Sequence, residues 1–377
     1  MKNVLRWLLL ALPWLLPAYL LRFKLGPVPT TVLEIGVLVI LGVFTAIYGF
    51  KGWLEAWQKA KGIRYPLVAF GVASLAAALW SPVMIQGLGL WRAYVLEPVL
   101  VFFVFAVTIG REVKREDLDA SIFGSVIALA MWGVIEFVLT GGQRVDGPYP
   151  YFNALALAVV PFGAYGLTRF IQSRTWLGLG AFGAALMASL VAKSDGGLIA
   201  LLAVLWLGLI SQKKLRWFVV GMTIVGMVVG LSVPQIREPV LKELRLENWS
   251  GYVRKKMWQD TWAMLKDHPI KGAGMAGYPT VFKPYQTTTG IEVFQYPHTI
   301  IFNFWAETGL LGLIAFAWLV IEWLRKRGAL LLPLVAILIH GLVDVPYFKN
   351  DLAIAFYLLL ALCVFSSAKN LNKDMVY

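Results

Sequence analysis

Charge is the first thing this 377-residue sequence lacks. Only 15% of its residues are Asp, Glu, Lys or Arg, against about a quarter in soluble domains, and the shortfall excludes an ordinary water-soluble fold. Cysteine is almost missing: the single Cys363 lies inside the last apolar run, so no disulfide framework forms within the chain. Asp and Glu are not clustered, and His298 has no His or Cys neighbour at ligand spacing. The expected chemistry therefore uses no metal and no cofactor. Convincing internal repeats are also absent, which counts against a transporter built from repeats. The first apolar run, VLRWLLLALPWLLPAYLL, lacks a small-residue cleavage site and reads as an ordinary first span, not a signal peptide.

What is present is apolar. Hydrophobic residues make up 59% of the chain and the mean hydropathy is +0.72. Runs of about 20 residues recur, each long enough to cross ~30 Å of hydrocarbon as a helix. Twelve candidate spans follow, at roughly 4–21, 30–50, 65–85, 88–110, 121–140, 151–170, 176–192, 196–210, 215–233, 299–322, 329–345 and 350–368. Sixteen tryptophans suit a protein with many interfacial anchors. The sequence thus predicts an all-α integral membrane protein of about 12 transmembrane helices, with one large loop between helices 9 and 10. Its expected divisions are 1–233 (helices 1–9), 234–298 (the loop) and 299–377 (helices 10–12 and a tail).

The net charge of +13 could suggest nucleic acid, but its distribution excludes that partner. With the N-terminus in the cytoplasm, nineteen Lys and Arg fall in inside segments such as KGWLEAWQKAKGIR and SQKKLR. Five fall in the short outside loops. That bias orients the chain with both termini in the cytoplasm, and the long outside loop is exempt from the count. Within this loop, SGYVRKKMWQDTWAMLKDHP has helical spacing, with Arg254, Trp258, Thr261, Trp262 and Leu265 on one face. A basic, Trp-bearing helix of this kind is expected along the outer membrane surface.

On this topology Arg92, Arg144, Lys193, Arg254 and His298 all fall at or near the outer face. Cations partly shielded from water hold an anion, and Arg matches phosphate oxygens bidentately. A lipid-anchored substrate presents its pyrophosphate at that depth. If the phosphate is a leaving group, the guanidinium groups stabilise the charge that develops on it, and a neutral His298 takes a proton from an incoming hydroxyl. The plainer readings stand beside this one. A single Arg near a membrane surface also snorkels or caps a helix, and His298 after Pro297 also suits a helix cap. Glu307, nine positions on, falls on the opposite helix face and is expected to tie that helix to another. His340 and Asp344, four apart in IHGLVD, are expected on one helix face near its outer end, serving in a structural hydrogen bond between helices.

Four motifs in order resemble a known family. YPHTIIFNFWAETGLLGL looks like a His-Asn…Glu-x-Gly-Leu-x-Gly signature, and VRKKMWQDTWAMLKDHPIKGAG like an Arg…Trp…Pro…Gly-x-Gly signature. RVDGPYPYFNALALAVVPF resembles an Arg-x-x-Gly…Asn…Pro element, and IHGLVD a late His…Asp element. Together, over residues ~90 to 360, they resemble the O-antigen ligase and polymerase superfamily of bacterial membrane glycosyltransferases. The resemblance implies a GT-C type enzyme of the inner membrane with its site facing the periplasm. It implies metal-free transfer of a glycan from undecaprenyl diphosphate to an acceptor hydroxyl, with inversion. His298 would be the base, Arg254 and Arg144 would hold the diphosphate, and Arg92 would be a weaker candidate. Two departures stand out: Thr299 follows the His where the family has Asn, and Asp195 replaces an Arg in the KSDGG turn, where Lys193 is the nearest substitute charge.

The expected activity is an O-antigen ligase with lipid A-core as acceptor. A polymerase using a second lipid-linked repeat unit, or a protein-glycosylating relative, stays open. From another class, a flippase for lipid-linked saccharide would string charges through the midplane, where Glu136 and Glu307 are the main exceptions. A cell-wall polymerase relying on a loop carboxylate would use Asp260 or Asp267.

Overall fold

The computed structural model describes residues 1–26, 28–151, 153–288, 293–325 and 331–366. The expected tail, and the part of the last two connections that falls on 326–330 and 367–377, lie outside them. Helix α1 (Lys2–Leu15) runs through a 3-10 turn into an antiparallel hairpin of β1 (Arg22–Leu25) and β2 (Val28–Thr31). There follow α2 (Val32–Lys59), α3 (Arg64–Leu79), α4 (Met84–Trp91), α5 (Glu97–Thr108), α6 (Arg115–Leu139), α7 (Ala154–Ser173), α8 (Trp176–Val191), α9 (Asp195–Ser211) and α10 (Arg216–Ser232). The long connection holds α11 (Pro234–Leu244), α12 (Trp249–Asp267) and α13 (Tyr278–Phe282), and α14 (Ile300–Arg325), α15 (Leu331–His340) and α16 (Asn350–Ser366) complete the chain.

Six of these helical stretches are long and apolar enough to cross a membrane: Lys2–Leu20, Val32–Lys59, Met84–Thr108, Arg115–Leu139, Ala154–Ser173 and Ile300–Arg325. Six more are apolar but only 10–17 residues long, which at 1.5 Å per residue falls short of ~30 Å. All twelve stand where the sequence expects a span. The hairpin is an addition to the expected all-α picture. Its exit is fixed by a capping box, in which the Thr31 hydroxyl accepts the Glu34 N–H and Glu34 accepts the Thr31 N–H.

Helix α7 is the centre of the bundle, with nearly every side chain from Ala154 to Arg169 buried. It meets α8 where Gly166 and Gly178 face each other so closely that a Cβ on Gly166 would lie 2.3 Å from the Gly178 carbonyl oxygen. Small residues at such a crossing replace the hydrophobic drive that lipid removes. Near the C-terminal end of α7, Asp119 of α6 accepts from Arg169 Nε at 2.6 Å and from the Tyr165 hydroxyl.

Helix α14 is not one regular helix. It breaks at Gly309 (φ 69°), and the chain around 270–276 packs into the break. The Ala306 carbonyl accepts the N–H groups of Ala273 and Gly274 at 2.8 and 3.1 Å, and Leu310 donates to the Ile270 carbonyl at 2.9 Å. Non-helical backbone at such a place is tolerated because protein groups satisfy it. Glu307 is fully buried here and accepts the Ala276 N–H at 2.7 Å. The expected helix-to-helix tie is therefore corrected. Glu307 holds the glycine-rich turn of the long connection, because the break at Gly309 opens a polar socket for that turn. Gly272 (φ 62°) sits where a Cβ would lie 2.3 Å from the Trp305 carbonyl oxygen. Gly272→Ala should lower the stability of the folded protein by about 2 kcal/mol or more, read as a fall in the unfolding midpoint in detergent. An unchanged midpoint would refute this docking.

Helix α12 begins where Asn248 caps it, its side chain accepting the Gly251 N–H. Of the expected face, Thr261 and Leu265 are buried, and Thr261 hydrogen-bonds the Tyr278 hydroxyl at 2.7 Å. Met257, Met264, Leu265, Ala273, Tyr278, Phe282 and Ala306 form a small core of their own. Trp262 lies outside it, stacked on Phe302. One side of this helix thus builds the connection's own core and docks it on α14.

Candidate active site

His298 stands in the turn before α14, and three neighbours define its place. The Trp258 indole N–H donates to the carbonyl of Pro297 at 2.9 Å, Ile300 N–H donates to the Gly341 carbonyl at 2.6 Å, and the Phe294 ring meets the imidazole edge-on at 5.2 Å. Held on both sides, His298 adopts φ 48°, a left-handed conformation that costs of order 1–3 kcal/mol for a non-glycine residue. Its side chain is 33% exposed, so one ring edge reaches solvent while the other faces protein.

The protein side is Asp344. Nδ1 of His298 lies 3.3 Å from Asp344 Oδ1. A carboxylate there puts the proton on Nδ1 and leaves Nε2 as the proton acceptor. The expected single helix face for His340 and Asp344 is corrected here. Helix α15 ends at His340 and Asp344 lies in the following turn, because Gly341 supplies a stop and its carbonyl is taken by α14. His340 is buried beside Gly196, with no hydrogen-bond partner for either ring nitrogen among the described residues.

Asp344 is 7% exposed and well satisfied. Oδ1 also accepts the Val345 N–H at 2.9 Å, and Oδ2 accepts from Asn153 Nδ2 at 2.9 Å. Burial raises the cost of its charge. The hydrogen bond and charge of His298, the charge of His340 and the Val345 N–H outweigh that cost and hold the carboxyl below the usual carboxylate range. Asn153, at the head of α7, accepts on its other side from Arg144 Nη2 at 2.6 Å, and Arg144 Nε donates to the Ala192 carbonyl at 2.9 Å. Burial first, and then the like charge of Arg254, lower the pKa of Arg144 against the opposite pull of Asp146, Asp195 and Asp344. The charge of Arg254 also bears on His340. Arg254 is one helical turn before Trp258 on α12.

The structure therefore gathers His298, Arg144, Arg254, His340 and Asp344 at one end of the bundle. Lys193 is exposed at the end of α8, where its φ of 48° closes the helix. Asp195 opens α9 beside it. Arg92 has carboxyl neighbours of its own: its guanidinium lies 3.0 Å from Glu34 Oε1 and 3.3 Å from Glu97 Oε1. Glu136 is not a midplane charge either: it is near the end of α6 and accepts the Gly147 N–H at 2.9 Å. Sequence reasoning missed Asp344 as the partner of His298, and gave Asn153 and Trp258 no role.

Residues 179–317 match the family model described as O-antigen ligase. That stretch of the chain is similar to the O-antigen ligase family. The matched stretch runs from α8 into α14, a little over a third of the chain, and contains Lys193, Arg254, Trp258, His298 and Glu307. Arg144, Asn153 and Asp344 come from outside the matched stretch, and the fold brings them to it. No curated protein matches the chain. The similarity to O-antigen ligase, on a bundle with six helices long and apolar enough to cross a membrane, suits a multi-pass membrane protein.

Proposed function

We propose that the protein is an inverting glycosyltransferase that moves a glycan from undecaprenyl diphosphate to an acceptor hydroxyl at the outer face of the inner membrane. The observation that carries this reading is the His298–Asp344 pair with two arginines, Arg144 and Arg254, in reach of each other beside it. Like charges held together at a half-buried site favour an anion between them, and a lipid diphosphate is the anion that the O-antigen ligase superfamily implies.

In this reading Nε2 of His298 takes the proton of the acceptor hydroxyl. The hydroxyl oxygen forms a bond to the anomeric carbon, and the bond from that carbon to the diphosphate oxygen breaks on the opposite side. The electron pair leaves on the diphosphate, where Arg144 and Arg254 balance it. Asp344 orients the imidazole and stabilises the imidazolium that forms. The Lys and Arg bias orients the bundle with both termini inside and the long connection in the periplasm.

The acceptor assigned is lipid A-core, making the enzyme a ligase. The test uses the full chain in liposomes with a polyprenyl-diphosphate-linked glycan, and follows release of polyprenyl diphosphate with EDTA present throughout. Release should require lipid A-core. Release driven instead by a second lipid-linked repeat unit would make it a polymerase. Glycan crossing the bilayer without release would replace the transferase reading with a flippase.

A further inference from the structure

Asn153 belongs to a sequence motif, yet neither bond of the reaction needs it. It stands at the head of α7 with φ 70°. Its amide has a defined direction: Oδ1 accepts from Arg144 Nη2 at 2.6 Å, and Nδ2 donates to Asp344 Oδ2 at 2.9 Å. Turning the amide over would set NH₂ against a guanidinium and carbonyl against a carboxylate, so only one orientation satisfies both neighbours. Asp344 then passes the chain to Nδ1 of His298 at 3.3 Å. Guanidinium, amide, carboxylate and imidazole form one line in which every donor meets an acceptor. Networks of this kind are worth most when complete, since a partly satisfied one leaves a buried charge exposed to its full cost.

We propose that Asn153 is a positioning residue that couples the anion-holding arginine Arg144 to the proton-accepting imidazole of His298. The inference rests on the transferase reading above. A diphosphate that engages Arg144 fixes the guanidinium, and Asn153 carries that placement to Asp344 and so to His298. The base is then aligned on the acceptor when the donor is in place. Arg144 keeps its bond to the Ala192 carbonyl without Asn153, so losing the amide disturbs the base more than donor binding. The charged groups around the line are His340 from α15, Arg254 from α12, Asp146 beside Arg144 and Asp195 at the head of α9.

The test compares the unaltered full chain with Asn153→Asp and Asn153→Gln in the liposome assay, measuring kcat and donor KM from acid to neutral pH per folded protein. Asn153→Asp still accepts from Arg144 but sets a second carboxylate against Asp344. The added negative charge should move the acidic limb of kcat to higher pH by about one unit. At the optimum kcat should fall about 10-fold or more, with donor KM changed less than about 3-fold. Asn153→Gln, which keeps the amide, should restore the position of the limb even where its rate stays low.

If both variants only unfold at lower temperature while the limb and kcat stay put, Asn153 is a helix cap and the coupling is wrong. A KM increase without a kcat effect would also overturn it, by making Asn153 part of donor binding alone. The transferase reading fails separately, and takes this inference with it, if the unaltered chain shows no release that depends on His298.

Discussion

His298→Ala should reduce acceptor-dependent release of polyprenyl diphosphate by ~10²–10⁴-fold, the usual worth of a positioned general base, without unfolding the protein. The side chain is one-third exposed. Its removal leaves Asp344 still bonded to Asn153 and to the Val345 N–H, and removal also relieves no packing in either core. The midpoint of thermal unfolding in detergent should therefore change little. Asp344→Asn should come close to the same loss of rate, because an amide in that place no longer fixes the proton on Nδ1. Asp344 has a depressed pKa, so its contribution to stability is present above the ordinary carboxylate value of ~3.9 and is lost as pH falls through the lower folded value. Asp344 stays ionised throughout the range in which transfer is measured. Acceptor-dependent release should be lost in His298→Ala at every pH at which the unaltered protein transfers. Full activity in that variant, normalised to folded protein, would remove the base from the mechanism.

How much of this the sequence carried depended on whether a feature was local. Apolar runs marked all twelve apolar helices because helix formation needs only a stretch of neighbours, and the 3.6-residue pattern marked α12 for the same reason. The β1–β2 hairpin was invisible because four-residue strands carry too little alternation to stand out among apolar spans. The pairing of Arg92 with Glu34 was not legible because the two are far apart in sequence, and no local pattern links them. Glu307 and Asp344 erred in the same direction. Both were placed by ideal helix geometry, and the chain leaves that geometry at Gly309 and Gly341. Glycine there was legible, but what replaces the helix depends on which backbone groups arrive from elsewhere. Those groups are the 270–276 turn in one case and the head of α14 in the other. Asn153 was visible as a motif letter only, since its role depends on Arg144 and Asp344, which flank it from different parts of the chain.

The second large effect is expected at the arginines, and it should run in opposite directions for activity and stability. Arg254→Ala should lower kcat/KM for the lipid-linked donor about 100-fold, the scale of a lost charge-assisted contact to a transition-state oxyanion. Arg254→Lys should recover only part of that, because a lysine keeps the charge but loses the planar fork. Arg144→Ala should cost more than Arg254→Ala, since Arg144 also anchors Asn153 and the Ala192 carbonyl. In the donor-free protein the charge of Arg254 opposes that of Arg144, which burial already makes costly. Arg254→Ala should accordingly leave the donor-free unfolding midpoint unchanged or raise it, while abolishing the additional rise that inorganic diphosphate gives the unaltered protein. Arg144→Ala has no such compensation and should lower the midpoint. An Arg254→Ala protein that is both fully active and still stabilised by diphosphate would show that α12 brings Trp258, and not a phosphate ligand, to this site. The paired arginines would then need another explanation.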